Sequence, residues 1–264
     1  MLLVIDVGNT NIVIGMMQQG EVIHRWRIST ISRTTDEFGL LLLDLIRFNE
    51  IHSTDISGVC VSCVVPSVLY SIEKACRKYL NLDAFVIDKG IKTGMRLCVD
   101  NPQQVGADRI VNSVAGYTRY KKAMIIVDFG TATTFDCVNS KGEYLGGVIT
   151  PGFHIALEAL FVRTAKLPKV EVEKTTKVIG KNTVHSMQSG MFWGYVGLVN
   201  ELVARCRQEL WETEPNTEVF CLATGGLANL VGSDCREIQK VDSNLTLLGL
   251  WDLFVMNHPN YVPK

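Results

Sequence analysis

Asp6-Val7-Gly8-Asn9-Thr10-Asn11 follows the apolar run Leu2-Leu3-Val4-Ile5, so a carboxylate, a glycine and short polar side chains meet at the end of a strand. An acid there is costly to desolvate unless it gains a partner. Mg²⁺, a hard cation that takes carboxylate oxygens and keeps waters, is a natural partner near phosphates. Gly8 lets the backbone turn sharply and approach a ligand. Successive backbone N–H groups, with the Thr10 hydroxyl and the Asn9 and Asn11 amides, can cradle anionic oxygens. The arrangement returns at Asp128-Phe129-Gly130-Thr131. Asp6 matches Asp128, Gly8 matches Gly130, Gly20 matches Gly142 and Glu21 matches Glu143, each pair 122 residues apart. Each copy reads as strand, Asp-x-Gly turn, strand, Gly-Glu hairpin, strand. Two such units facing each other would hold a phosphate chain from both sides. A single copy would be mostly a structural turn; the recurrence favours phosphate binding.

Three further motifs carry or mimic chemistry. In Gly106-Ala107-Asp108-Arg109 an acid and a base sit at the mouth of a helix. The carboxylate could deprotonate a substrate hydroxyl and the guanidinium could bind a substrate carboxylate bidentately. The plainer reading is an Asp favoured by the helix dipole beside a solvent-facing Arg, and residue mechanics alone prefer it. Cys221-Leu-Ala-Thr-Gly225-Gly226 reads as a strand ending in a glycine pair that opens a short helix, a candidate adenosine pocket beside the two Asp-Gly loops. Cys60-Val-Ser-Cys63 has redox or zinc spacing but lies in a strand, where residues i and i+3 face opposite ways. The eight cysteines read as reduced thiols, several of them packed as small apolar residues.

The elements that must position these residues are legible in the periodicity. Strands are expected over 2–7, 11–17, 21–28, 57–65, 84–87, 123–128, 133–138, 143–149 and 218–223. Helices are expected over 34–50, capped by Thr34 or Thr35, and over 66–80, 151–163, 182–210 and 245–257, with helical spacing also from Ile110 to Tyr117. Gly190, Gly194 and Gly197 share one face of the long helix; either another part of the chain or a second subunit packs closely there. The 264 residues and the 122-residue offset predict two α/β domains with mixed sheets, 1–120 and 121–264. A net charge of −1 with scattered Lys and Arg argues against nucleic acid, no apolar run reaches the ~20 residues a membrane span requires, and a strand starting at Leu2 leaves no room for a signal peptide. A cytoplasmic protein is expected.

DVGNTN, NPQQVGADR, VDFGTATT, GGVITPG, KLP, GKNTV-x-x-MQSG and ATGG occur in this order across nearly the full chain. In this it resembles the type III pantothenate kinases of the acetate and sugar kinase, Hsp70 and actin superfamily. The resemblance implies a duplicated ribonuclease-H-like (actin-like ATPase) fold, its two mixed-sheet domains flanking a nucleotide cleft. It implies ATP-dependent phosphorylation of pantothenate to 4′-phosphopantothenate, the first committed step to coenzyme A. By similarity Asp6, Val7, Gly8, Asn9, Thr10, Asn11, Ile12 and Val13 hold the ATP phosphates, and Asp6 attends Mg²⁺. Asp108 would be the general base. Gly106, Ala107, Asp108, Arg109 and Thr183 would contact pantothenate. Asp128 would bind a monovalent cation, K⁺ or NH₄⁺, and Thr131 would touch ATP. A homodimer is implied, which favours the subunit reading of the glycine face. One position departs: some members carry a substrate-contacting Tyr where this chain has Val99.

Rival readings are a superfamily kinase acting on a sugar or short carboxylic acid, a superfamily phosphatase, and a non-catalytic accessory protein. NPQQVGADR argues against the first, and the intact Asp6, Asp108 and Asp128 argue against the last. P-loop chemistry is set aside, because Gly180-Lys181-Asn182-Thr183 lacks the upstream glycine that a P-loop requires.

Overall fold

The computed structural model describes residues 1–88 and 90–262. The run Leu2–Val7 (β1) is apolar at almost every position and becomes the centre of a five-stranded sheet, its aliphatic residues fully buried. β1 pairs antiparallel with β2 (Asn11–Gln18), which pairs antiparallel with β3 (Glu21–Ser29). On its other side β1 runs parallel to β4 (Gly58–Cys63), and β4 to β5 (Ala84–Val86). The order is β3-β2-β1-β4-β5.

A second sheet repeats the plan with β6 (Ala123–Phe129), β7 (Ala132–Val138), β8 (Tyr144–Pro151), β9 (Val219–Gly225) and β10 (Lys240–Val241). Its order is β8-β7-β6-β9-β10, with the same antiparallel and parallel pairings. The duplication expected from the 122-residue offset is therefore a duplication of fold. The offset hides one detail. Val7 pairs with Ile12, leaving residues 8–11 in the first turn, whereas Phe129 pairs with Thr133, leaving only 130–132. One residue is lost at the second Asp-Gly turn and regained at the next hairpin, where Val138 pairs with Tyr144 but Met17 pairs with Val22.

Helices cover the sheets. α1 (Thr35–Arg47) starts at a capping box: Thr34 Oγ1 accepts from Glu37 N (3.3 Å), and Glu37 Oε2 accepts from Thr34 N (2.7 Å). α1 and α2 (Pro66–Ala75, running into a π turn over 76–80) bury Phe38, Leu42, Ile46, Val68 and Ile72 against Ile5, Val7, Val59 and Val61. α3 (Ala107–Tyr120) follows the irregular segment 87–106. α4 is Phe153–Arg163 and α5 is Thr183–Thr213. α5 lays Phe192, Val196, Val199 and Val203 on the second sheet. The short α6 (Ala228–Val231) and α7 (Leu245–Asn257) complete the chain.

Contacts gather the chain into two compact units. One holds 1–94, 101–115 and the chain from Asn244 onward; the other holds 95–100 and 116–243. α7 packs in the first: Gly15 of β2 is in close approach to Leu247, and Gly58 of β4 to Phe254. The last residues of α3 pack in the second, with Gly116 against Met124 and Ile126. No described helix is long and apolar enough to cross a membrane.

Candidate active site

In the first unit β1 delivers Asp6, half-buried, to the sheet's C-terminal edge, and Val7 behind it is fully buried. The turn that follows is tight. Gly8 N donates to Asn11 O (3.0 Å), and β3's end braces it: Thr30 Oγ1 donates to Gly8 O (2.7 Å) and Thr30 N to Thr10 O (2.9 Å). Asn9 and Thr10 are exposed at the tip, Asn11 and Val13 are half-buried, and Ile12 anchors the far side in the core. Asp6 lies in parallel register with Ser62 of β4, so the two side chains share a face. Ser62 is fully buried, and its Oγ has no hydrogen-bond partner among the described residues. A buried hydroxyl of this kind beside a carboxylate suits a ligand that brings its own oxygens, as a hydrated divalent cation does.

The first unit also holds Gly106–Arg109. Asn101 caps the 3₁₀ turn Pro102–Gln104 through its side chain, accepting from Gln103 N (3.1 Å), and α3 begins at Ala107. Asp108 folds back over the helix mouth: its Oδ1 accepts from Arg109 N (2.8 Å), and a Cβ on Gly106 would lie 2.6 Å from that oxygen. Burial pushes the Asp108 carboxyl above its ordinary value of 3.8, against the opposing pull of the Arg109 N–H and guanidinium. A raised carboxylate is a better proton acceptor. Arg109 is not the solvent-facing residue of the plainer sequence reading: it is half-buried, with Nη2 fully enclosed. Val99, in the other unit, packs on Gly146 (3.5 Å from its added Cβ), an apolar contact where a tyrosine hydroxyl was the family's alternative.

The second unit holds Asp128, Thr131 and Thr183. Asp128 is the last residue but one of β6, in register with Thr224 of β9. Its carboxylate rests against Gly225, which has φ +96°; a Cβ there would collide with Asp128 Oδ1 and lie 2.6 Å from Phe129 N. The first glycine of the pair marked in the sequence thus lets β9 close on the Asp128 carboxylate, in a backbone conformation that favours glycine. Thr131 is held from below, its carbonyl accepting from Gly152 N (3.1 Å). Thr183 opens α5, exposed, one residue after Asn182, whose Oδ1 caps the helix by accepting from His185 N (2.8 Å). Gly190, Gly194 and Gly197 lie along α5, and a Cβ at any of them meets no atom within 4 Å. The intrachain packing considered for this face is therefore absent among the described residues.

Sequence reasoning missed Ser62, Gly152 and Tyr195, the last of which hydrogen-bonds beneath the Thr131 turn (2.7 Å to Thr133). Ser62 is indistinguishable from any serine in an apolar strand until register places it beside Asp6. Of the Cys60–Cys63 pair, Cys60 is fully buried and its thiol pushed up by burial, while the Cys63 thiol donates to Val65 O (3.2 Å). No group of three or more metal-ligating residues occurs among the described residues.

Folds of this kind recur among solved structures. A Baf family protein from Campylobacter jejuni superimposes with a TM-score of 0.56 at 18% identity, covering 98% of this chain and 100% of the other. A ROK family glucokinase from Streptomyces griseus, solved with glucose and AMPPNP, gives 0.51 at 12% identity over 95% and 98%. At such identities these show the fold alone: two duplicated ribonuclease-H-like sheets of the actin-like ATPase type. Sequence goes further. A protein of Citrifermentans bemidjiense named type III pantothenate kinase is 50% identical over 97% of this chain and its own full length. One of the same name from Geobacter sp. strain M21 is 51% identical over 95% and 97%. Residues 2–205, which hold both Asp-Gly turns, Asp108 and Thr183, match the family described as type III pantothenate kinase. The chain belongs to the type III pantothenate kinase family.

Proposed function

We propose that this chain transfers the γ-phosphoryl group of ATP to the primary hydroxyl of pantothenate, giving 4′-phosphopantothenate for coenzyme A synthesis. The observation that carries the chemistry is Asp108: a carboxylate fixed at a helix mouth, raised by burial and beside an enclosed guanidinium. Phosphoryl transfer asks a protein mainly for positioning and charge neutralisation. In this reading the turn Asp6–Val13 holds the phosphates, and Thr131 meets the nucleotide. Arg109, with Gly106, Ala107 and Thr183, holds pantothenate, the guanidinium matching its carboxylate. The substrate hydroxyl oxygen attacks the γ-phosphorus, the bond from that phosphorus to the β,γ-bridging oxygen breaks, ADP leaves, and Asp108 takes the hydroxyl proton. In a loose transition state that proton leaves late, so a carboxylate is base enough.

Asp6, with the buried Ser62 hydroxyl beside it, suits Mg²⁺, and Asp128 in its glycine-walled seat suits a monovalent cation, K⁺ or NH₄⁺. Bound there, such ions supply positive charge against the phosphate oxygens. The working form is a cytoplasmic homodimer without nucleic-acid or membrane partners. The bare glycine face of α5 supports the dimer, as do Phe161 and Val162 of α4 and Val178 and Ile179 ahead of α5, all exposed apolar residues. Light scattering of the purified protein reads this, and a monomeric mass removes it. The two halves of the sequence, 1–120 and 121–264, each supply one phosphate loop. Incubation of the purified protein with ATP and pantothenate, with and without K⁺, tests the activity. Phosphopantothenate is expected, faster with K⁺; its absence under both conditions removes the reading.

A further inference from the structure

Tyr195 sits at the middle of α5, 5% exposed, with its ring packed on Phe153 (centroids 5.1 Å apart). Its hydroxyl reaches two elements at once. It donates to Pro151 O at the end of β8 (2.6 Å) and lies 2.7 Å from Thr133 Oγ1 near the start of β7. A phenol has one proton and a carbonyl only accepts, so Thr133 is the donor in the second bond. Thr133 is fully buried, and its own backbone carbonyl accepts from Thr150 Oγ1 (3.4 Å). The residues next along the chain carry the effect to the turn. Gly152, after Pro151, donates to Thr131 O (3.1 Å), and a Cβ on Gly152 would lie 2.6 Å from Gly130 O. The Gly130–Thr131 turn thus rests on two strands that pair at Ala132–Pro151 and Thr133–Thr150 and are bridged besides by one phenol. The first copy makes the matching backbone bond, Thr30 N to Thr10 O (2.9 Å), and adds the Thr30 hydroxyl on Gly8 O (2.7 Å) where the second copy has the phenol.

We propose that Tyr195 is a positioning residue for the nucleotide: it fixes the height of the Gly130–Thr131 turn, and with it the contact that Thr131 makes to ATP. This rests on the reading that Thr131 meets ATP. Tyr195→Phe keeps the ring and removes the pin. The KM for ATP is expected to rise roughly threefold to tenfold, the size of one lost hydrogen bond, while kcat and the KM for pantothenate change less than about twofold. Amide hydrogen exchange over 130–132 is expected to quicken in the unliganded variant, which a purely global loss of stability would not confine to that turn. The double variant Thr133→Val/Tyr195→Phe strands no hydroxyl; it is expected to regain thermal stability and keep the raised KM for ATP. An unchanged KM for ATP in Tyr195→Phe, beside a wild type with normal turnover, overturns the role of Tyr195 alone, as does a double variant whose KM returns to normal. A wild type that binds no non-hydrolysable ATP analogue removes the kinase reading itself, and Tyr195's role with it.

Discussion

The turn after β1 and the turn after β6 descend from one pattern and are built differently. The first is four residues long, exposed at Asn9 and Thr10, and braced from its own sheet by Thr30. The second is three residues long, takes the same backbone bond from Gly152, which has no hydroxyl to add, and has its Asp walled by Gly225. The sheet faces behind them differ as well. Val4 pairs with Gly15 in the first copy, and Leu247 fills the space over that glycine. Ile126 pairs with Asp136 in the second, and Asp136 is fully buried with Tyr144 Oη (2.8 Å) and Thr134 Oγ1 (3.1 Å) donating to it. One copy is thus a longer, more exposed turn over an apolar face; the other is a shorter turn over a polar one. The two copies share the strand order, and single residues distinguish their turns.

The largest expected effect lies outside both turns and sets the scale for them. Asp108→Asn is expected to lower kcat by about 10²- to 10⁴-fold, the usual worth of a positioned base, while ATP-analogue binding persists. Burial holds the Asp108 carboxyl above 3.8, and a base must be ionised. Turnover is therefore lost as pH falls through that raised value, at a higher pH than an exposed carboxylate would give. For stability the sign is opposite. The fold favours the protonated acid, so the ionised form costs stability above the unfolded value, and Asp108→Asn is expected to melt no lower than wild type at pH 7. A variant with near-normal kcat removes Asp108 from the base role.

Next in size is a matched pair of glycine substitutions. Gly225→Ala drives a Cβ into the Asp128 carboxylate at a positive φ, where a side chain costs ~1–2 kcal/mol in backbone alone. It is expected to cut turnover by more than about tenfold and to blunt activation by K⁺, since each 1.4 kcal/mol of misplaced charge is about a factor of ten. Gly15→Ala meets only the side-chain ends of Leu247 and Val4, at 2.9 Å, so overpacking is expected to cost ~1–3 kcal/mol of stability with kinetics per folded molecule unchanged. Equal kinetic damage from the two would erase the distinction between the copies. The smallest effect is Ser62→Ala. With no partner to lose among the described residues, it is expected to leave the melting temperature unchanged or slightly higher and to raise the Mg²⁺ needed for half-maximal rate about twofold to fivefold. Unchanged Mg²⁺ dependence would detach Ser62 from the Asp6 site.

Much of this is legible in the residues alone. Apolar runs and turn chemistry locate every long strand and helix within a few residues, and Thr34 is indeed the cap. Other features lie beyond local pattern. The constant offset conceals a residue lost at one turn and regained at the next, because only strand register exposes it. α7 is apolar nearly all round, so nothing in its own residues says that it belongs with β1 rather than with the strands that precede it in the chain. Asp6, Asp108 and Asp128 announce themselves as acids beside glycines. Ser62 and Tyr195 do not, since a strand serine and a helix tyrosine are ordinary until a partner 56 or 62 residues away is placed against them.

The central claim is that two copies of one loop serve two different cations. Asp6→Asn and Asp128→Asn, each titrated with Mg²⁺ at saturating K⁺ and with K⁺ at saturating Mg²⁺, measure it directly by initial rates of phosphopantothenate formation. Asp6→Asn is expected to shift the Mg²⁺ curve and leave the K⁺ midpoint in place, and Asp128→Asn to do the reverse. Both variants shifting the same curve, or each shifting the other's, would contradict it.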